Sequence, residues 1–266
     1  MMERVDVLLV KKGYFESREK AKEAILAHQI YDDAGRLYSK PSMHAEGGTK
    51  FVIQGEVCPF VSRGGYKLKK ALEEFNISLN GKAMLDIGAS TGGFTDCALQ
   101  HGARKVYAID VGSSQLHKKL LKDGRVVSME NQNFRELTQD QLEDNVSFAS
   151  IDVSFVSATY MFENLAKLLD DHGQVVCLIK PQFEVGPQKI GKNGCVNPKY
   201  HEEAINKVVK SAVENGFSVR DLTYSPIKGD KSGNIEYLVH LRKDKVKDII
   251  TKTTIKNVIA KATSSL

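Results

Sequence analysis

The sequence predicts an α/β protein, a doubly wound, Rossmann-like sheet behind a small N-terminal α+β domain. Three observations predict it. From about residue 62 to 241, apolar strand-like runs alternate with helical stretches, the pattern of a largely parallel sheet covered on both faces. A glycine-rich turn, Gly88-Ala89-Ser90-Thr91-Gly92-Gly93, follows one strand and opens a helix, where such sheets bind their ligands. The first 57 residues instead compress helical stripes and strand-like pieces between tight turns. A chain of 266 residues suffices for one medium domain and a small appendage.

In chain order, Val5, Leu8 and Leu9 have helical spacing that stops near Gly13. Ser17 offers an N-cap hydroxyl to a second helix in which Ala21, Ala24, Ile25 and His28 are expected to share a face. Asp32-Asp33-Ala34-Gly35 and Glu46-Gly47-Gly48 mark turns, and Lys50-Phe51-Val52-Ile53 reads as a strand. Residues 58–61, Cys58-Pro59-Phe60-Val61, read as a linker, because proline lacks a ladder donor and restricts its predecessor. Strands are predicted at Ala83–Ile87, Lys105–Asp110, Val126–Met129, Phe148–Asp152, Gln174–Ile179, Val219–Tyr224 and Ile235–Leu241. Helices are clearest at Thr159–Leu169 and His201–Asn215. The domain predicted over 62–241 leaves 242–266 as a basic, solvated tail with some helical character. Its seven basic and two acidic residues give +5, the net charge of the whole chain, so the remainder is neutral. Such a tail suits a polyanionic partner.

Hydrophobic residues at 41% and charged residues at 27% are ordinary for a globular protein. No apolar run approaches the roughly 18 residues of a membrane span, and the start lacks the basic-then-apolar layout of a secretory signal. These features predict a cytoplasmic protein with no membrane partner. Cys58, Cys97, Cys177 and Cys195 show no C-x-x-C spacing and no histidine placed as a zinc partner, so reduced thiols and no metal are expected.

The run Leu85-Asp86-Ile87-Gly88 to Phe94 carries the strongest single signal. Glycines let backbone approach a bulky cofactor and turn without a Cβ clash. Asp110 ends the next strand, 22 positions after Gly88, where a carboxylate can accept both ribose hydroxyls. A dinucleotide site wants G-x-G-x-x-G; here the spacing is G-x-x-x-G-G with an acid two residues ahead. That form favours S-adenosylmethionine, which has no pyrophosphate, over a nicotinamide cofactor. The expected cofactor contacts are Asp86, Gly88, Ala89, Ser90, Gly92, Gly93, Phe94 and Asp110, with Asn133 or Asp152 near the adenine.

Four polar residues fall where a transferred methyl group would be presented. They are Lys67, Asp152 at the end of a strand, Lys180 between an apolar strand and Pro181, and Glu236, the one acid in its predicted strand. A sugar hydroxyl is a weak nucleophile and needs a base; a lysine serves only when its pKa falls towards neutrality. A neighbouring cation and partial desolvation both push it down, and two carboxylates orient the amines. Singly, each residue has a plain alternative: Lys67 as helix surface, Asp152 as a turn residue, Lys180 and Glu236 as an ion pair.

Arg4-Val5-Asp6, Ser17-Arg18 and Lys40-Pro41 resemble the small RNA-binding domain first seen in ribosomal protein S-four. The chain departs from that pattern at His28-Gln29-Ile30 and Tyr31-Asp32-Asp33. Basic helix faces position nucleic acid without reading it, so Arg4, Lys11, Lys12, Arg18 and Lys22 are expected to meet phosphates. Ser62–Leu68, Asp86–Thr95, Ile151–Phe155 and Ile179–Glu184 resemble the TlyA (haemolysin A) family of ribosomal RNA ribose methyltransferases, whose catalytic half is related to FtsJ-type enzymes. The resemblance spans about Arg4 to Leu241. It implies Lys180 as base, Asp152 as its orienter, and Lys67 with Glu236 setting the ribose. It also implies cytidine 2′-hydroxyls of ribosomal RNA as substrate, in the large subunit alone or in both; nothing in the sequence points to an obligatory protein partner. The aperiodic stretch Gln182–Lys199 is long enough for a binding loop, and its Lys189 and Lys192, together with Arg63, are further expected RNA contacts.

Three rivals remain at this level. The family's haemolysin label suggests a membrane-damaging toxin, which the missing signal and span disfavour. A non-catalytic RNA-binding assembly factor is disfavoured by the complete tetrad. A small-molecule methyltransferase is disfavoured by the module in front.

Overall fold

The computed structural model describes every residue except Met1, Glu56, Val57, Asp230 to Ser232, Lys245, Lys247 and Asp248. Lys245, Lys247 and Asp248 of the basic tail, and Val57 at the expected domain end, thus lie outside the described residues. The chain forms two compact units, Met1–Ser62 and Arg63–Leu266. Residues 58–61, read above as a linker, fall in the first unit, and 242–266 fall in the second.

In the first unit, β1 (Met2–Arg4) leads into α1 (Val5–Lys11) and α2 (Arg18–Leu26), followed by β2 (Ile30–Asp32), β3 (His44–Glu46) and β4 (Phe51–Ile53). β1 pairs with β3 and β2 with β4, both antiparallel. Ser17 caps α2 as its hydroxyl accepts from the Lys20 amide at 3.3 Å. The core gathers Val5, Leu8, Leu9, Ala21, Ala24, Ile25, Ile30, Tyr38 and Phe51. His28 corrects the sequence reading. The chain has already left α2 at Ala27, and His28 takes a left-handed φ of 58° with its side chain exposed, away from the Ala21 face.

The second unit begins with α3 (Gly64–Glu74), β5 (Ala83–Ile87), α4 (Gly93–Gln100), β6 (Lys105–Ile109), α5 (Lys118–Leu121), β7 (Val126–Met129) and β8 (Val146–Ile151). It continues through α6 (Phe162–Leu168), β9 (Leu169–Ile179), α7 (Pro181–Glu184), α8 (His201–Glu214), β10 (Phe217–Tyr224), β11 (Tyr237–Lys243) and α9 (Lys252–Ser265). Seven strands form one sheet in the order β10-β11-β9-β8-β5-β6-β7. β5 pairs in parallel with β6 and β8, β6 with β7, and β8 with β9. β11 lies antiparallel between β9 and β10. Near-continuous apolar strands, buried throughout β5 and over Val175–Ile179, are what a sheet covered on both faces requires.

Several boundaries differ from expectation. The Thr159–Leu169 helix is a 3₁₀ turn, Ala158–Met161, running into α6. β9 starts at Leu169, and a register shift leads to Gln174. Glu236 stands just ahead of β11 rather than inside a strand. The helical character expected of the tail is α9, capped by Thr251, whose side chain accepts from the Thr254 amide; what differs from a wholly solvated end is its packing. Ile255 and Ala262 of α9 join the main core.

Candidate active site

The parallel strands β5, β6, β8 and β9 end at one edge of the sheet, and chain order places the topological switch between β5 and β8. There the connections diverge to opposite faces and open a crevice. Gly88, with φ 86°, fits only as glycine, because a Cβ would meet the Asp152 carbonyl oxygen at 2.6 Å. The turns after β5 and β8 are thereby pressed together. Asp152 follows β8, and its amide donates to the Ile87 carbonyl at 2.9 Å.

Asp152 gathers both lysines. Lys180 Nζ lies 2.6 Å from Asp152 Oδ1 as a close charge contact without hydrogen-bond alignment, since that oxygen has no hydrogen-bond partner among the described residues. The aligned hydrogen bond of Lys180 goes to Ser154 Oγ at 2.8 Å. Lys67, from α3, reaches to 4.0 Å from Asp152 Oδ2 and donates to Glu236 Oε2 at 2.7 Å. β11 runs opposite to β9 with Tyr237 facing Ile179, which brings Glu236 to the edge that carries Lys180. Lys67 and Lys180 are about nine-tenths buried and Glu236 almost fully so. Two ammonium groups and two carboxylates balance in charge, the condition for burying them at all. Burial raises the Asp152 carboxyl, but the charges of Lys67 and Lys180 outweigh it and hold its pKa below the ordinary value. Burial outweighs Lys67 at Glu236, whose pKa is raised.

The glycine loop is held from both sides. Asp86 is fully buried; its carboxylate accepts from Thr95 Oγ1 at 2.6 Å and Ser150 Oγ at 2.8 Å, and burial pushes its pKa up to about 6. It therefore braces the turn from beneath rather than facing the crevice. Gly92, at φ 93°, is the N-cap of α4, where a Cβ would strike Leu120 at 2.2 Å. Phe94 and Gly93 are buried, as is Ala89, while Ser90 is exposed with φ 48°. Asp110, one residue past β6, accepts from the Ser90 amide at 2.8 Å and the Gly112 amide at 2.7 Å. Beside it Val111 is 72% exposed. Asn133 spends its amide on a local cap, accepting from Arg135 N at 3.2 Å and donating to Glu136 at 2.8 Å.

The sequence reading missed four residues. Ser154 fixes Lys180. Gly229 lies so close to Glu236 that a Cβ would meet Oε1 at 2.8 Å. Glu184 ties the loop after β8 to α7, accepting from Ser157 Oγ and Ala158 N. Glu130 accepts three amides, Ser114, Gln115 and Leu116, and fixes the segment after Asp110. Ser154 and Glu184 fall within the stretches Ile151–Phe155 and Ile179–Glu184 that carry the resemblance, but nothing in the sequence names their partners; only the fold brings Glu184, Gly229 and Glu130 to theirs.

The expected RNA contacts are split by their local partners. Arg4 and Arg18 both grip the buried Asp6 carboxylate, at 3.0 and 2.8 Å, with their side chains still 44% and 48% exposed. This gives Arg4-Val5-Asp6 and Ser17-Arg18 a shared structural reason. Lys11 pairs with Glu3 and Lys189 with Glu203. Lys22 and Arg63 are half-buried and Lys192 is exposed.

A methyltransferase-type sheet, with its last strand inserted antiparallel and its glycine loop lacking the dinucleotide spacing, defines the class as S-adenosylmethionine-dependent methyltransferases. Residues 60–243 match the FtsJ-like methyltransferase model, and the chain belongs to that family. YqxC of Bacillus subtilis, which carries the name of an rRNA methyltransferase, is 46% identical over 241 residues, covering 90% of this chain and 85% of YqxC. The 16S/23S rRNA (cytidine-2′-O)-methyltransferase TlyA of Mycobacterium tuberculosis is 39% identical over 241 residues, 90% of this chain and 89% of that one. A solved hemolysin-named chain of Streptococcus thermophilus is 49% identical with a TM-score of 0.80, covering 99% of this chain and 96% of that one.

Proposed function

We infer that this chain methylates a cytidine 2′-hydroxyl of ribosomal RNA, with S-adenosylmethionine as donor. The observation that supports this most is the convergence of Lys67 and Lys180 on Asp152 beside the Gly88 turn, with Glu236 behind Lys67. The cofactor fits the crevice edge. Ser90 to Gly93 offer close backbone, Asp110 a carboxylate for ribose hydroxyls, and the exposed Val111 an apolar neighbour for a base. Asp86 braces that turn, and Asn133, the remaining candidate for the adenine, is held by its local cap. When bound, the cofactor supplies a methyl group activated on a positively charged sulfur.

The chain's own residues handle the proton and the oxygen. Lys180, when unprotonated, takes the hydroxyl proton at Nζ, and Asp152 with Ser154 aims that nitrogen. Lys67, steadied by Glu236, places fixed positive charge where the oxygen turns anionic, and such charge acts most strongly in a site with little water. Arg4, Lys11, Arg18, Lys22, Arg63, Lys189 and Lys192 are assigned to phosphates, which position the RNA rather than specify the base. Methylation of the large subunit alone or of both subunits is consistent with this reading, and a ribosomal substrate implies a cytoplasmic protein. No helix among the described residues is long and apolar enough to cross a membrane.

Calorimetry combined with a turnover assay tests this reading. Asp110→Ala should weaken S-adenosylmethionine binding by about tenfold or more, the scale of one lost charge-assisted contact. Lys180→Arg should keep cofactor affinity and lose turnover, because a guanidinium does not deprotonate. An active Lys180→Arg protein would remove Lys180 as the base.

A further inference from the structure

Catalysis uses one end of β9 and β11 and leaves the other end idle. At that end lies a cavity of about 590 Å³ whose lining includes Phe75, Gln174, Arg220, His240, Arg242 and Asp244. Arg242 faces Gln174 where Tyr237 faces Ile179. Five strand steps, about 17 Å, therefore separate this cavity from the Lys180 edge, so it is not part of the methyl-transfer crevice.

Its wall is unusual in what it leaves unmet. Among the described residues, Gln174 Oε1, Arg220 Nε, His240 Nε2 and Arg242 Nε are buried without a hydrogen-bond partner, and groups in that state are few in native proteins. His240 is nine-tenths buried, its ring stacked on Phe75 with centroids 5.5 Å apart and an interplanar angle of 18°. One carboxylate serves two guanidiniums. Asp244 accepts from Arg220 Nη2 at 2.6 Å and from Ser218 Oγ at 2.5 Å, while Arg242 Nε stands 3.2 Å away as an unaligned charge contact. Asp221, also on the wall, is exposed and already accepts from the Leu222 amide. The field is correspondingly positive. Burial, then Arg220, Arg242 and Lys82, push His240 down to about 4. Burial and Arg242 likewise hold Lys82 below its ordinary value.

We propose that this cavity is a second binding site, which takes a phosphoryl group among Arg220, His240 and Arg242. Guanidinium forks and an imidazole N–H match phosphoryl oxygens in geometry and charge, and the Gln174 amide offers its NH₂ by a half-turn of its last torsion. The phosphoryl group belongs either to an RNA backbone or to a free phosphate-bearing ligand. Only the RNA source rests on the function proposed above.

The test uses the full chain and inorganic phosphate. With isotope-labelled protein, phosphate should shift the His240 ring resonances saturably, and sodium chloride at matched ionic strength should not. Arg242→Gln should weaken phosphate by about tenfold. Lys82→Gln, outside the Arg220–Asp244–Arg242 group, should weaken it by about threefold with unchanged melting, which keeps the proposal testable if Arg242→Gln does not fold. In a second arm, ribosomal-subunit binding is followed against salt. If RNA supplies the phosphoryl group, phosphate competes and Lys82→Gln lowers the slope of log affinity on log salt by about one. If a free ligand supplies it, the slope is unchanged while the His240 shift persists. His240 resonances indifferent to phosphate, or shifted equally by chloride, would overturn the site; that outcome leaves the Lys180 result untouched.

Discussion

Asp86 shows how one buried acid links stability to pH. Its carboxyl titrates near 3.8 without its surroundings and at about 6 in the folded chain. Between those values the folded state holds the proton more tightly. The cost of the buried charge is therefore absent below about pH 4, grows as pH rises, and is complete above about pH 6, on the order of 3 kcal/mol. Asp86→Asn should melt higher than the parent at pH 8, with the gap closing by pH 4. A gap independent of pH would mean that burial is not what perturbs Asp86. Ser154 carries a second prediction. Ser154→Ala removes a hydrogen bond that aims Lys180 and should lower kcat about tenfold at unchanged cofactor affinity, read by calorimetry beside single-turnover rates. An equal loss of cofactor binding would place Ser154 in the wrong role. Asp152 and Lys180 could be singled out from the sequence because a strand end and a proline mark them, and Lys67 and Glu236 because they are charged beside apolar runs; Ser154's contact with Lys180 could not, because it depends on the turn that Phe155 makes at φ 64°.

Individual elements divide by how local their causes are. Strands β5, β6, β8 and the Val175–Ile179 part of β9 were legible as apolar runs, since burial on both faces writes itself into consecutive residues, and the half-buried edge strand β7 from its paired valines. β1 was not, because its residues carry no apolar alternation and the strand exists only through β3. The core contacts of the C-terminal segment were not legible for a related reason. Its lysines suggest a solvated tail, but Ile255 and Ala262, seven residues apart on α9, reach the core of the second unit. Ile255→Ala should then cost about 2–4 kcal/mol, and Thr251→Ala about 1 kcal/mol through the lost cap, both read by urea unfolding. A neutral Ile255→Ala would return that segment to solvent.

Over the whole molecule, two halves of the proposed catalytic group come from opposite ends of one unit. Lys67 and Glu236 are 169 residues apart in the chain yet share a hydrogen bond. No local pattern encodes that meeting; it follows from inserting β11 antiparallel beside β9, which returns the chain to the catalytic edge. The basic residues of the first unit were legible as charges, whereas the bonds of Arg4 and Arg18 to Asp6 became visible only in three dimensions. The central claim is that Lys180, aimed by Asp152 and Ser154, removes a ribose proton. Purified ribosomal subunits incubated with S-adenosylmethionine and either the parent chain or Lys180→Ala, then digested and mapped by mass spectrometry, test it directly. The parent should yield 2′-O-methylcytidine, and Lys180→Ala none at equal cofactor binding. Equal methylation by the two proteins would contradict it.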